Sequence, residues 1–225
     1  MSMIKTVSSF QDLVSTPFHG DLNAICWKRD LVGNFSEIVD LVKLSENMVE
    51  LSPDELLDFQ LSEAGQLARD ILLNDLQLLK NHGASPILNV IQCYERDDHH
   101  SFFPTDVYSF HVDRSPIETD TFLCTYYGEP SEILANDEAE QKILIPEIRR
   151  ELKKIYQGPE IEFEPFLKEH FFDLHYQAKI NSRPISLGVG GLWKLAVDHP
   201  NAQALPCVHR APLEKDGEKR LLLIC

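Results

Sequence analysis

The apolar residues of this chain change their repeat near Pro86, and that change limits what the chain can fold into. Before Pro86 they recur at steps of three and four, the spacing of helices with one buried stripe. After it they run together or alternate in twos, the spacing of strands. Helices first and strands afterwards predict an α+β chain. A helical layer over residues 1–84 is expected to pack on a sheet core built from 85–225, as one domain of 225 residues.

Within the first part, Ser52-Pro53-Asp54-Glu55 reads as a capping box with proline at the first helical position. Leu57, Leu61, Ala64, Ala68, Ile71 or Leu72, Leu76 and Leu79 then continue one stripe until His82-Gly83, which predicts a single helix of about seven turns. A shorter helix is expected after Asn34 or Ser36, with Phe35, Ile38, Val39 and Val42 inward. Strands are expected over 87–94, 107–113, 121–127, 175–180, 185–189, 192–197 and 220–224. Residues 136–172 revert to charged, helix-favouring sequence broken by Pro146 and Gly158-Pro159. They read as an insertion at the sheet's edge or mouth and, with the 95–106 loop, as the candidate lid.

Charge narrows the partners. A net charge of −15 without a Lys/Arg cluster makes nucleic acid or an anionic membrane an unlikely match, because phosphate binding needs concentrated positive charge. The five cysteines are scattered without a C-x-x-C, which predicts reduced thiols rather than a disulfide frame or zinc ribbon. No apolar run approaches signal-peptide or membrane-span length, so a cytoplasmic protein is expected.

The chemistry concentrates in His111-Val112-Asp113. On a strand, residues i and i+2 share a face, so His111 and Asp113 project together while Tyr108, Phe110 and Val112 point the other way, toward the helical layer. With nine histidines, about one H-x-D pair is expected by chance. A second copy, His19-Gly20-Asp21, lacks an alternating strand and reads as a turn. What raises the first pair is its sequel: Val208-His209-Arg210 after a run of strands, then Arg220 opening the last strand. Two imidazoles and a carboxylate make a facial set that leaves positions open on Fe(II). Iron with one aspartate carries one net positive charge, Arg220 adds another, and a 2-oxo-dicarboxylate would neutralise both. Arg210, beside His209, is expected to point away from the metal. His99-His100 reads as solvated loop, and Cys207 as a small buried residue.

In this order, His111-x-Asp113, His209 and Arg220, the chain resembles the Fe(II)/2-oxoglutarate-dependent dioxygenase superfamily over about 105–225. It also resembles an uncharacterised bacterial family with a similar V-H-R-x-P ending. The resemblance implies a double-stranded β-helix, a jelly-roll or cupin-like barrel, carrying the helical layer and the insertion. It implies His111, Asp113 and His209 as iron ligands and catalytic centre, Arg220 as the anchor of 2-oxoglutarate, and Tyr126 or Tyr127 as a further co-substrate contact. It also implies oxidation of an unidentified small-molecule or peptide substrate. Two other readings stay open on the same residues: a zinc-type hydrolase that needs no Arg220, and a non-catalytic binding barrel.

Overall fold

The computed structural model describes every residue except Met1, Ser45, Asp98, Glu214 and Asp216. In chain order the first part forms β1 (Ile4–Val7), α1 (Phe10–Ser15), β2 (Ala24–Trp27), α2 (Phe35–Leu41), β3 (Met48–Glu50), α3 (Pro53–Asp58) and α4 (Glu63–Asn81). Then come β4 (Ile87–Ile91), β5 (Phe110–His111), β6 (Asp120–Tyr127), β7 (Glu132–Leu134), β8 (Ala139–Gln141), α5 (Pro146–Ile155) and α6 (Phe163–Glu169). The chain closes with β9 (His175–Ala178), β10 (Ile185–Ser186), β11 (Leu192–Ala196), β12 (Val208–Arg210) and β13 (Arg220–Ile224).

This is a mixed α+β architecture of two sheets. The larger runs β1-β2-β11-β6-β13-β4-β3 and the smaller β10-β7-β12-β5-β9-β8. From β4 onward the chain changes sheets several times: β4, β6, β11 and β13 lie in the larger, and β5, β7, β8, β9, β10 and β12 in the smaller. All pairings are antiparallel except β1 with β2.

The expected helical layer is there, but it is not purely helical. β1 and β2 extend one edge of the larger sheet, beside β11, and β3 closes the other. The expected single long helix is two. The Ser52 capping box forms as read, and α3 then stops at Phe59. Ser62 caps α4 by accepting from the Gly65 amide, while Glu37 of α2 accepts from both the backbone and the hydroxyl of Ser62. That tertiary carboxylate makes the break favourable. It also shifts the buried side of α3 to Leu56, leaving Leu57 exposed.

Each sheet face has its own core. Leu56, Ala68, Leu72, Leu76 and Leu79 pack with Phe122, Cys124, Tyr126, Leu221 and Leu223 on the outer face of the larger sheet. Here the fully buried Asp75 of α4 accepts from both terminal nitrogens of Arg29 and from the Tyr126 hydroxyl. Between the sheets lie Ile91, Leu123, Ile133, Leu187, Trp193, Leu195, Cys207 and Leu222. Phe110 and Val112 were expected against the helices. Instead they join Leu134, Ala139 and Val208 in a separate small core on the far face of the smaller sheet. The insertion folds around Ile143, Leu152, Phe163, Leu167 and Phe172, with Phe103 of the preceding loop buried among them. Among the described residues no helix is long and apolar enough to cross a membrane.

Candidate metal centre

The inward side of the smaller sheet is set by strand parity. His209 of β12 lies directly opposite His111 of β5. Such pairs share a face, and the two rings stand 4.4 Å apart. Asp113 follows two residues beyond His111 on the same side, and its Oδ2 lies 3.7 Å from His209 Nε2. One ligand atom from each of His111, Asp113 and His209 falls within 4.8 Å of the other two, so the group can hold a metal ion. The structure thus brings His209 to a His-Asp pair from much earlier in the chain.

The surrounding bonds suit that use. His111 Nδ1 lies 2.8 Å from the Ser109 carbonyl and His209 Nδ1 lies 3.1 Å from the Cys207 carbonyl. A carbonyl only accepts, so both rings carry their proton on Nδ1 and keep Nε2 free as a ligand. Thr121 of β6 donates to Asp113 Oδ2 at 2.5 Å. The backbone beyond Asp113 is tied down too. The Asp198 amide donates to the Asp113 carbonyl, and Arg114 binds both Asp198 and Asp173.

Protonation follows from the same contacts. Burial, reinforced by His209, lowers the His111 pKa to about 4, so the ring is neutral near pH 7. Burial pushes the Asp113 carboxyl up, but His209 and the Thr121 hydroxyl outweigh it and hold the group below its ordinary value. A neutral His111 imidazole and an ionised Asp113 carboxylate are forms that bind a divalent ion.

Arg220 opens β13 with its side chain in the same space between the sheets. It is buried, and its Nη2 donates to Thr125 Oγ1 at 3.4 Å and Ser131 Oγ at 3.2 Å. Its Nε and Nη1 have no hydrogen-bond partner, and no carboxylate pairs with it among the described residues. Burial lowers its pKa, and Tyr94 opposes that shift. Thr121 beside the triad and Thr125 beside Arg220 share one face of β6, about 13 Å apart along the strand. Ile91, Tyr94, Tyr108 and Glu129 line a small cavity at Arg220.

Other expected residues lie elsewhere. Tyr126 faces the helical layer with Phe122 and Cys124 and is committed to Asp75, so the structure does not bring it to the triad. Tyr127 is exposed at the end of β6. Arg210 turns outward to Glu132 and lies over the Phe110 ring, away from the triad as its position beside His209 suggested. His19 bridges to Leu22 around Gly20, a tight turn outside the site. His99 is exposed as expected of a solvated loop, whereas His100 is half-buried against Phe102 and Phe172, and neither belongs to the triad. Cys207 is buried, and its thiol pKa is pushed up by burial and then by Asp113. The supporting Thr121, Ser109, Thr125 and Ser131 carried no motif. Ser109 shares parity with His111, while Thr121, Thr125 and Ser131 lie on segments that carry no ligand and gave no sequence signal. Comparison of the chain with protein-family models, with curated proteins and with solved structures returns no match.

Proposed function

We propose that the chain is a non-haem Fe(II)- and 2-oxoglutarate-dependent oxygenase built on a double-stranded β-helix, oxidising a small-molecule or peptide substrate. One observation carries this reading. A His-Asp-His group with both Nε2 atoms free shares an inter-sheet space with a buried arginine that has no carboxylate of its own. Retaining an unpaired buried cation is costly unless a ligand completes it. Strand alternation between the sheets over β4–β7 and β10–β13 is in keeping with a β-helical topology, and the run of β7 to β10 within the smaller sheet spans the insertion.

In this reading His111, Asp113 and His209 hold the ion, which when bound supplies oxygen chemistry on a C–H bond with oxidative decarboxylation of 2-oxoglutarate. The Ser109 and Cys207 carbonyls fix the two imidazole tautomers. Thr121 fixes the carboxylate. Arg220 receives the far carboxylate of the dianion through the donors left open on Nε and Nη1. Leu123, Leu187, Trp193 and Leu222 keep the space between the sheets dry, which strengthens both contacts.

A zinc-type Lewis-acid site would use the same triad but leaves the orphaned Arg220 unexplained, and so does a metal-free binding barrel. Thermal unfolding with Mn(II), a redox-silent substitute, separates them. At 100 times its dissociation constant, 2-oxoglutarate should add about 2.7 kcal/mol of stability to the Mn(II)-loaded protein. It should add nothing to His111→Ala and far less to Arg220→Met. A metal-dependent shift that 2-oxoglutarate leaves unchanged refutes the co-substrate assignment.

A further inference from the structure

A third imidazole stands in register with the two in the triad. β9 pairs with β5 so that His175 lies opposite His111, on the side away from His209. The three rings line one face of three neighbouring strands, with His111 and His175 centroids 5.9 Å apart. His175 is only 5% exposed, yet its Nδ1 has no hydrogen-bond partner. An unpaired ring nitrogen in the interior is unfavourable, and a residue needed only for packing would carry none. Phe103 meets the ring edge-on. In the same wall, Lys142 of the insertion donates to Ser109 Oγ at 2.6 Å, directly behind His111. His209 and Asp113 occupy one side of the His111 ring. His175 and the Lys142 charge stand on the other.

We propose that His175 is a ligand-binding residue of this centre, whose free ring nitrogen hydrogen-bonds an anionic group, such as a carboxylate or another oxyanion, held at the metal's open side. The inference rests on the metal reading above and adds a binding role that the three ligands and Arg220 do not fill. It also gives the insertion a part in the site. β9 follows that segment directly and Lys142 lies within it, so the segment and the strand after it supply one wall of the ligand's position.

The test uses the full chain loaded with Co(II) and titrated with azide, a small anion that enters open coordination positions and changes the visible spectrum. Wild type, His175→Phe, His175→Leu and His175→Gln are compared. The expected result is Co(II) binding within about twofold in all four. Azide affinity should fall about tenfold in the phenylalanine and leucine variants, as for loss of one hydrogen bond to a charged ligand, and largely recover with glutamine. Leucine answers the question if phenylalanine disturbs the fold. Unchanged azide affinity in either apolar variant overturns the proposal. So does loss of Co(II) binding in step with azide, which would make His175 scaffold for the metal ligands. A wild-type protein that takes up no Co(II) refutes the metal reading itself, a result distinct from both.

Discussion

Replacing Thr121 by valine isolates one hydrogen bond at the centre. The Thr121 hydroxyl donates to Asp113 Oδ2 at 2.5 Å, and Thr121 is 8% exposed, so valine fits the space without opening a cavity. Two effects then compete. The fold loses one charge-assisted hydrogen bond at the mouth of the inter-sheet space, about 1.5–3 kcal/mol if nothing replaces it. The metal loses the partner that orients its carboxylate, and removing such outer partners lowers affinity about 10- to 100-fold, or about 1.4–2.7 kcal/mol. Because the hydroxyl also holds Asp113 in its ionised form, the metal deficit should grow as pH falls. Competition between Thr121→Val and a chromogenic chelator for Co(II), at pH 7.5 and pH 6, measures both the loss and its pH trend. Affinity equal to wild type at both values would refute a supporting role for the Thr121 bond at the metal.

Three further outcomes follow from named contacts. Asp75→Asn takes the charge from a carboxylate that binds Arg29 twice and Tyr126 once. It leaves a nearly buried guanidinium uncompensated, so urea unfolding should show a loss of about 3–5 kcal/mol with metal affinity retained. Arg220→Met should do the reverse. It removes buried unpaired donors, so the metal-free protein gains about 1–3 kcal/mol while 2-oxoglutarate binding weakens at least about tenfold; a destabilised variant contradicts the idea of a cation kept for a ligand. Burial holds His111 near pKa 4 and His175 near 3, against 6.5 for an ordinary imidazole, so both are neutral when folded and protonated when unfolded over that window. The unfolded chain then binds more protons, and stability must fall as pH drops from about 6.5 toward 4, by at most about 1.4 kcal/mol per pH unit for each ring. A urea midpoint that stays flat over this range would show that the rings are not buried in neutral form.

The triad was legible because two rules act together: i and i+2 share a strand face, and a later histidine on a neighbouring strand can meet them. Arg220 could be placed by its position at the start of the last strand. Tyr126 could not, because alternation fixes which residues share a face but not which face turns inward. In β6, Thr121, Leu123 and Thr125 turn inward, leaving Phe122, Cys124 and Tyr126 to the helices. The short strands β1 and β2, four residues each, carry too few alternations to stand out from the helical segments around them. The break between α3 and α4 depends on Glu37, a partner 25 residues away, while the apolar stripe runs through it without a gap. His175 showed no sequence signal because its place beside His111 comes from pairing across the insertion.

The most direct test of the central claim is an anaerobic visible-absorption titration of the metal-free protein with Fe(II) and then with 2-oxoglutarate, beside His111→Ala. A metal-to-ligand charge-transfer band should appear that needs both additions and is absent from the variant. Stoichiometric Fe(II) binding without that band would contradict the oxygenase reading in favour of a Lewis-acid site, and no Fe(II) binding at all would leave the two-sheet fold as a recognition module.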